Sequence, residues 1–464
     1  VRPRASLASR APQVNMLRAY SSATGAAAGG AAPQATRPFV AVHMFISAAL
    51  VMLIVIVGGL TRLTESGLSI TEWNPGLKGM RLPRTDAEWE AEWAKYRETP
   101  EFQLLNHNMT LDEFKTIFMW EWAHRMLGRL LGGVFLIPAA VYCLKPGWTT
   151  PDVRYKVLAL AVGIGLQGLM GWVMVASGLQ DPYANDPSSP DSRPEWQPRV
   201  SHFRLAAHLG LAFAMYMGMI YTGVGILRDA FYARKFATEG MSSGAAAVET
   251  LLKQLQAPRA KRVFAGGVAL TALVFTTAIW GAFVAGLDAG LIYNEFPFMG
   301  DRRLLPPSEE MFNKRYALRK ISHDSQEASL RPVEPEKPTD MALYTGNILQ
   351  NPATVQALHR YLGLTSLAAL IVYGVRTKKL KAVLPNATPR FATGAMHMGI
   401  LQVLLGIATL VHMVPIPVAS AHQIGSLIIL TMMSGVLASL RRPAHAIRTF
   451  SRAYAQAAPK APQP

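Results

Sequence analysis

Apolar residues dominate eight long stretches of the chain, near 39–61, 119–144, 157–179, 203–227, 263–287, 355–375, 391–414 and 418–440. Charged residues are almost confined to the segments between them. Each stretch is about 20 residues or more, enough for an α-helix to cross a hydrocarbon core roughly 30 Å thick. The pattern predicts an all-α integral membrane protein with eight transmembrane helices. Composition agrees: half of the residues are hydrophobic and 16% are charged, well below the roughly 25% of soluble domains. A formal net charge of +17 would by itself suggest nucleic acid or an anionic surface. The sidedness of the charges decides between them. The N-terminal tail, the segments after the second, fourth and sixth stretches, and the C-terminal tail carry 25 Lys and Arg against 4 acids. The segments on the other side carry 17 against 24. Excess basic residues mark the inside face. Both termini therefore lie inside, the partner is the lipid bilayer, and nucleic acid is excluded.

Residues 1–38 hold Arg2, Arg4, Arg10, Arg18 and Arg37 and no acid, with Ser, Ala and Gly between. An Arg-rich, acid-free leader reads as a mitochondrial presequence or disordered tail. Inside is then the matrix, and the acidic loops face the intermembrane space of the inner membrane. The single cysteine, Cys143, excludes an intrachain disulfide framework and Cys-rich zinc or iron–sulfur sites.

The chain repeats itself. Gly58-Gly59-Leu60 through Gly67-Leu68 to Glu72-Trp73 matches Gly281-Ala282-Phe283 through Gly290-Leu291 to Glu295-Phe296 at an offset of 223. His124-Arg125-Met126-Leu127-Gly128 matches His359-Arg360-Tyr361-Leu362-Gly363 at 235, as Gln167 and Gly171 match Gln402 and Gly406. His208 and His422 pair at 214. Unequal offsets are what insertions between equivalent helices produce. A duplicated unit of four helices keeps its orientation, so two tandem, pseudo-twofold-related four-helix bundles are expected. The N-terminal bundle spans 39–227 and the C-terminal bundle 263–440. A polar linker over 228–262 joins them, and 441–464 forms an inner tail. The outer segment 62–118 reads as partly helical, and 288–354 as a Pro-rich surface cover or docking segment. Apolar helix faces serve lipid and a partner copy alike, so a homo-oligomer is admitted.

Four of the eleven histidines stand apart. His124, His208, His359 and His422 each lie about one turn inside the outer start of an even-numbered helix, which puts all four at one depth near the outer face. Ionisable residues within spans are costly and face the bundle interior or a functional path. Two imidazoles across a four-helix bundle form an axial ligand pair for haem iron, and the duplication gives two pairs, His124 with His208 and His359 with His422. Zinc would require further ligands, and copper more thiolate or thioether character. Arg125 and Arg360 follow two of these histidines, about 100° around the helix; they are placed to reach propionates, headgroups or the interface. Glu121, three residues before His124, is the only acid placed within a span, and its repeat equivalent is Gln356. A carboxylate in a low-dielectric pocket is expected to hold its proton more tightly and to exchange it; the bland alternative is a charge capping the helix N-terminus. The first half is thus the chemical one.

Gly58-Gly59-Leu60-Thr61-Arg62-Leu63-Thr64, Ser66-Gly67-Leu68-Ser69, Glu121-Trp122-Ala123-His124-Arg125 and Gln167-Gly168-Leu169-Met170-Gly171-Trp172 resemble the signature segments of the mitochondrial type of haem A synthase. The resemblance runs from about residue 39 to 440. It implies oxidation of the C8 methyl group of haem O to a formyl group, giving haem A for cytochrome c oxidase. It implies that His124 and His208 hold the substrate haem, that His359 and His422 hold haem b, and that Glu121 is catalytic. Partners implied are a ferredoxin with its ferredoxin reductase as electron source, and haem O synthase as the supplier of substrate. A methyl becomes an aldehyde in two rounds, through an alcohol and a hydrated aldehyde, with no nucleophilic side chain. Bacterial relatives often carry paired loop cysteines, and this chain has none to pair. The alternative is a transmembrane dihaem b-type cytochrome that only transfers electrons; it leaves Glu121 opposite Gln356 unexplained. A transporter would predict matching helix breaks in both halves, yet Pro138 is matched by Tyr373.

Overall fold

The computed structural model describes residues 33–74, 79–180, 198–317 and 339–457. Most of the leader, the last residues of the tail and positions 318–338 of the Pro-rich outer segment lie outside the described residues. Eight helices are long and apolar enough to cross a membrane. Labelled in chain order, they are α1 (Pro38–Leu63), α2 (Leu111–Leu144), α3 (Pro151–Gly178), α4 (His202–Thr238), α5 (Pro258–Gly286), α6 (Pro352–Lys379), α7 (Ala387–Val411) and α8 (Ile416–Leu440). The described residues contain no β-strand.

Local chemistry sets the starts of these helices. Proline in the first turn opens α1, α3, α5, α6 and α8, where its missing N–H has no intrahelical partner to lose. A capping box opens α2: Thr110 accepts from the Glu113 amide while Glu113 accepts from the Thr110 amide. That box lies eight residues before the apolar run at 119, so α2 projects outward as an amphipathic extension. His124 consequently lies well within α2 and not one turn from its start.

The span contacts close two rings. In the first, α1 packs on α2 and α4, and α3 on α2 and α4; in the second, α5 packs on α6 and α8, and α7 on α6 and α8. The rings meet through α4 against α5, α8 against α1, and α4 against α8. The first two contacts exchange under a twofold rotation and the third maps onto itself, which is the pseudo-symmetry the repeat calls for. One apolar core, including Val51, Phe213 and Met219 with Leu427 and Met433, runs through both rings. Tyr216 Oη meets Thr431 Oγ1 at 2.7 Å across the α4–α8 contact. At the outer face Asp288 takes Arg62 at 2.6 Å and Arg199 at 2.8 Å. At the inner face Arg441 pairs with Asp229, and Arg228 donates to the Ala438 and Ser439 carbonyls.

The 228–262 segment, read as a polar linker, is largely helical. α4 continues to Thr238, Gly240 turns the chain at φ 88°, and a helix over Met241–Gln256 leads into α5. The inner tail also forms a helix, His445–Ala457, whose Ile447 packs with Phe236 and Val248. Ala245, Val248 and Leu251 of the Met241–Gln256 helix form a buried face. The outer segment 62–118 is partly helical as expected, with helices over Asp86–Arg97 and Pro100–Leu104.

Candidate haem sites

His124 projects from α2 towards His208 on α4, and His359 from α6 towards His422 on α8. The ring centroids are 6.4 Å apart in both pairs. The equality can be set against coordination geometry. A metal-bound imidazole nitrogen lies about 2 Å from the metal, and roughly 1 Å more separates each nitrogen from its ring centre. Two imidazoles on opposite sides of one metal therefore stand about 6 Å apart between centres, which matches what is observed. Among the described residues no group of three or more His, Cys, Asp or Glu forms a metal site. Each pair thus supplies two ligands only, which suits an iron whose other ligands come from a porphyrin.

Each histidine is backed by a glycine of the neighbouring odd-numbered helix. A Cβ placed on Gly58 of α1 would lie 2.6 Å from His124 Cε1, and one on Gly281 of α5 would lie 3.1 Å from His359 Cε1. Gly406 of α7 stands in the same relation to His422 at 2.8 Å, and Gly171 of α3 to His208 at 3.9 Å. Four of the glycines recognised as repeat matches, Gly58, Gly171, Gly281 and Gly406, are therefore the floors of the imidazole pockets.

The supporting hydrogen bonds repeat as well. Gln167 Nε2 donates to the His208 carbonyl at 2.9 Å, and Gln402 Nε2 to the His422 carbonyl at 2.7 Å. His422 Nδ1 lies 3.1 Å from the Gln402 carbonyl, the kind of contact that fixes a ligand's tautomer. The buried Nδ1 atoms of His124, His208 and His359 make no hydrogen bond of ordinary length. The nearby carbonyls of Ile54 and Thr277, again 223 residues apart, face His124 and His359. The other histidines fall elsewhere. His43, for example, bonds Tyr142 Oη and the Val134 carbonyl at the inner end of α1.

Arg125 and Arg360 are engaged with protein. Arg125 donates to the Ile70 and Glu72 carbonyls at 2.8 and 2.9 Å. Arg360 donates to the equivalent Tyr293 and Glu295 carbonyls at 2.6 and 3.0 Å. Each clasps the outer loop that follows the first helix of its half onto the second helix.

Glu121 is 3% exposed, and both its oxygens are taken. Oε2 accepts from Ser69 Oγ at 2.7 Å and the Ile70 amide at 2.8 Å; Oε1 accepts from Arg125 Nη2 at 2.7 Å and Nε at 3.1 Å. Glu121 thus joins α2 to the 64–72 loop through Ser69 and Ile70 and pairs with Arg125. It also does more than cap the helix, since α2 starts ten residues earlier. In the second half Gln356 keeps one bond, Nε2 to the Tyr293 carbonyl at 3.1 Å, and its Oε1 is buried without a partner. Ser69, present in a quoted motif but given no role, proves to be a partner of Glu121. Glu101, hidden in the first turn of a short helix, was not singled out at all.

Residues 41–434 match the COX15-CtaA family, described as cytochrome oxidase assembly protein. The chain is 41% identical over 401 residues to the Heme A synthase COX15 of Saccharomyces cerevisiae, covering 85% of this chain and 74% of that one. It is 35% identical over 427 residues to the Heme A synthase of Rhodospirillum centenum, covering 91% and 93%. It is 38% identical over 404 residues to the Heme A synthase-mitochondrial ferredoxin fusion protein of Schizosaccharomyces pombe, covering 87% of this chain. The matched region spans 60% of that fusion protein's length.

Proposed function

This chain belongs to the COX15-CtaA family of cytochrome oxidase assembly proteins, and from that premise we propose that it is a haem A synthase. It is an oxidoreductase that converts the C8 methyl group of haem O to a formyl group in two two-electron rounds. The observation that carries this reading is the pair of imidazole clamps with one separation, 6.4 Å, in both halves. His124 and His208 hold the substrate haem, and His359 and His422 hold haem b, which supplies electron transfer when bound.

The asymmetry of the halves supports this assignment. Haem O carries a long isoprenoid chain and must enter and leave through apolar space. Between α1 and α2 lies an apolar groove of about 1240 Å³ bounded by residues such as Ile46, Met126, Leu130 and Gly133. Nothing approaches a Cβ position at Gly132 or Gly133, where the second half has Leu367 and Ala368. At the inner end of the equivalent crevice between α5 and α6, Tyr373 stands where the first half has Pro138. Its ring packs on Gly266 and Gly267, and its hydroxyl donates to the Val263 carbonyl at 2.9 Å. Glu121 and Arg125 hold the outer loop over the first site. In this reading Glu121 positions that loop and the helix turn that carries His124.

The electron source is a ferredoxin with its reductase, supported by the fission yeast relative, which is fused to a mitochondrial ferredoxin. The protein lies in the mitochondrial inner membrane with both termini in the matrix and both haem sites near the intermembrane space. Haem O synthase supplies the substrate.

The test is chromatography of haems extracted from the purified full-length protein after incubation with haem O, ferredoxin, its reductase and NADPH. Haem A or the hydroxylated intermediate beside haem B supports the reading. Two haem B per chain with no conversion would replace it with a dihaem electron carrier.

A further inference from the structure

At the depth of the histidines the halves touch through two contacts that the pseudo-twofold exchanges, α8 against α1 and α4 against α5. The residue that follows a clamp histidine takes part in each. On α8 it is Gln423, after His422; on α4 it is Leu209, after His208. Gln423 Nε2 donates to the Val55 carbonyl of α1 at 3.3 Å. A Cβ placed on Gly59, one turn further along α1, would collide with Gln423 Oε1 and lie 2.9 Å from its Cδ. Leu209 instead packs in the apolar cluster that contains Ala282 of α5, the repeat counterpart of Gly59. Each contact is matched within itself. A long carboxamide lies over a glycine in one, and a leucine lies by an alanine in the other.

The polar contact ends beside a histidine of the other half. Gly59 is joined by one peptide bond to Gly58, whose Cβ position is 2.6 Å from His124 Cε1. From His422 to His124 the route is therefore short and continuous. It follows the backbone to Gln423, crosses the carboxamide onto the Val55–Gly59 turn, passes one peptide unit to Gly58 and reaches the imidazole. The equivalent route from His208 to His359 passes Leu209, Ala282 and Gly281, and Leu209 has no donor to bridge the gap. Electrons tunnel more readily along covalent and hydrogen bonds than across van der Waals gaps, so the two contacts are not equal as conductors.

We propose that Gln423 is the electron bridge between the halves, carrying single electrons from the His359–His422 site to the His124–His208 site. The proposal rests on the reading that both pairs hold haem. Each passage moves one electron. The iron of the second site is oxidised from ferrous to ferric, and the iron of the first is reduced from ferric to ferrous. The ferredoxin replaces the electron, and no bond of the protein is made or broken. Gln423 is a positioning residue that closes the route between two clamps and touches no reacting atom.

The experiment uses the purified full-length protein with haem B in the second pair and haem A loaded in the first, whose absorption is distinct from that of haem B. After flash photoreduction, the rate at which haem A is reduced as haem B is reoxidised is read directly. Gln423→Leu is expected to slow it by an order of magnitude or more, with both haems bound and both midpoint potentials and low-spin spectra unchanged. An unchanged rate overturns the proposal. So does a slower rate that comes with lost haem or shifted potentials, since that marks a purely structural role. If Gln423→Leu does not fold, Gly59→Ala combined with Gln423→Leu reproduces the leucine and alanine pairing of the other contact. It should fold and transfer equally slowly, and wild-type transfer in it overturns the proposal. Leu209→Ala should leave the rate as it is; an equal fall there would show that any contact between the halves serves, and would overturn the bridge. Fewer than two haems per wild-type chain would defeat the functional reading and the bridge with it. Two haems and a rate indifferent to Gln423 would defeat the bridge alone.

Discussion

The two halves share their imidazole geometry and differ in what surrounds it. Each places a histidine pair 6.4 Å apart, a glycine floor under each ring, a glutamine on one histidine carbonyl and an arginine clasping the outer loop. The first half adds the Glu121–Ser69–Arg125 network, the buried Glu101 and an open apolar groove. The second has Gln356, Ile292 and Tyr373 at the matching places. In the proposed reading, the comparison separates holding a haem, assigned to both halves, from acting on one.

The largest effect that can break this comparison is loss of a clamp. His359→Ala is expected to remove haem B from the purified protein while haem O added later still binds. His124→Ala is expected to do the reverse, read by chromatography of extracted haems. Loss of both haems in either variant would show that the clamps are one cooperative site.

Next comes the arginine pair. Arg125→Ala leaves Glu121 buried without its cation, which costs about 3–5 kcal/mol. Arg360→Ala removes bonds to carbonyls only and costs about 1–3 kcal/mol. Unfolding midpoints in detergent measure both, and equal losses would mean that the charge on Glu121 contributes nothing.

The glycine floors give a graded series. Gly58→Ala and Gly406→Ala force a Cβ into the ring space at 2.6 and 2.8 Å and are expected to cost about 1–3 kcal/mol through overpacking. Gly281→Ala, at 3.1 Å, should cost less, and Gly171→Ala, at 3.9 Å, almost nothing. The low-spin haem spectrum should weaken in the same order.

The smallest effect is on pH dependence. A Glu101 carboxyl raised to about 8 binds a proton in the folded protein that the unfolded chain releases near its ordinary value of 4.5. Folding stability should therefore fall as pH rises between those limits, and Glu101→Gln should flatten the slope. Gln356→Ala removes no titratable group and should leave the slope intact.

How much was legible depends on which physics wrote the signal. The spans were legible because lipid demands long apolar runs whatever the tertiary contacts, and the four histidines because an ionisable residue in such a run is conspicuous. The helices over 228–256 were not, since Ala and Gly there signal flexibility in isolation and close packing only once Phe236 and Ile447 lie against them. Glu101 was hidden because an acid following Thr99 and Pro100 fits a solvated first turn.

The sequence alone therefore determined the eight spans and the repeat, and singled out the four histidines. These follow from one-dimensional patterns of hydropathy, charge and residue type. Only the tertiary structure decided that Arg125 grips Glu121 and the outer loop, that the glycines floor the imidazole pockets, and that Glu101 is buried without a cation. Those depend on which groups meet across helices and loops far apart in the chain. Whether a buried carboxyl group finds donors comes from the fold and not from its neighbours in the sequence.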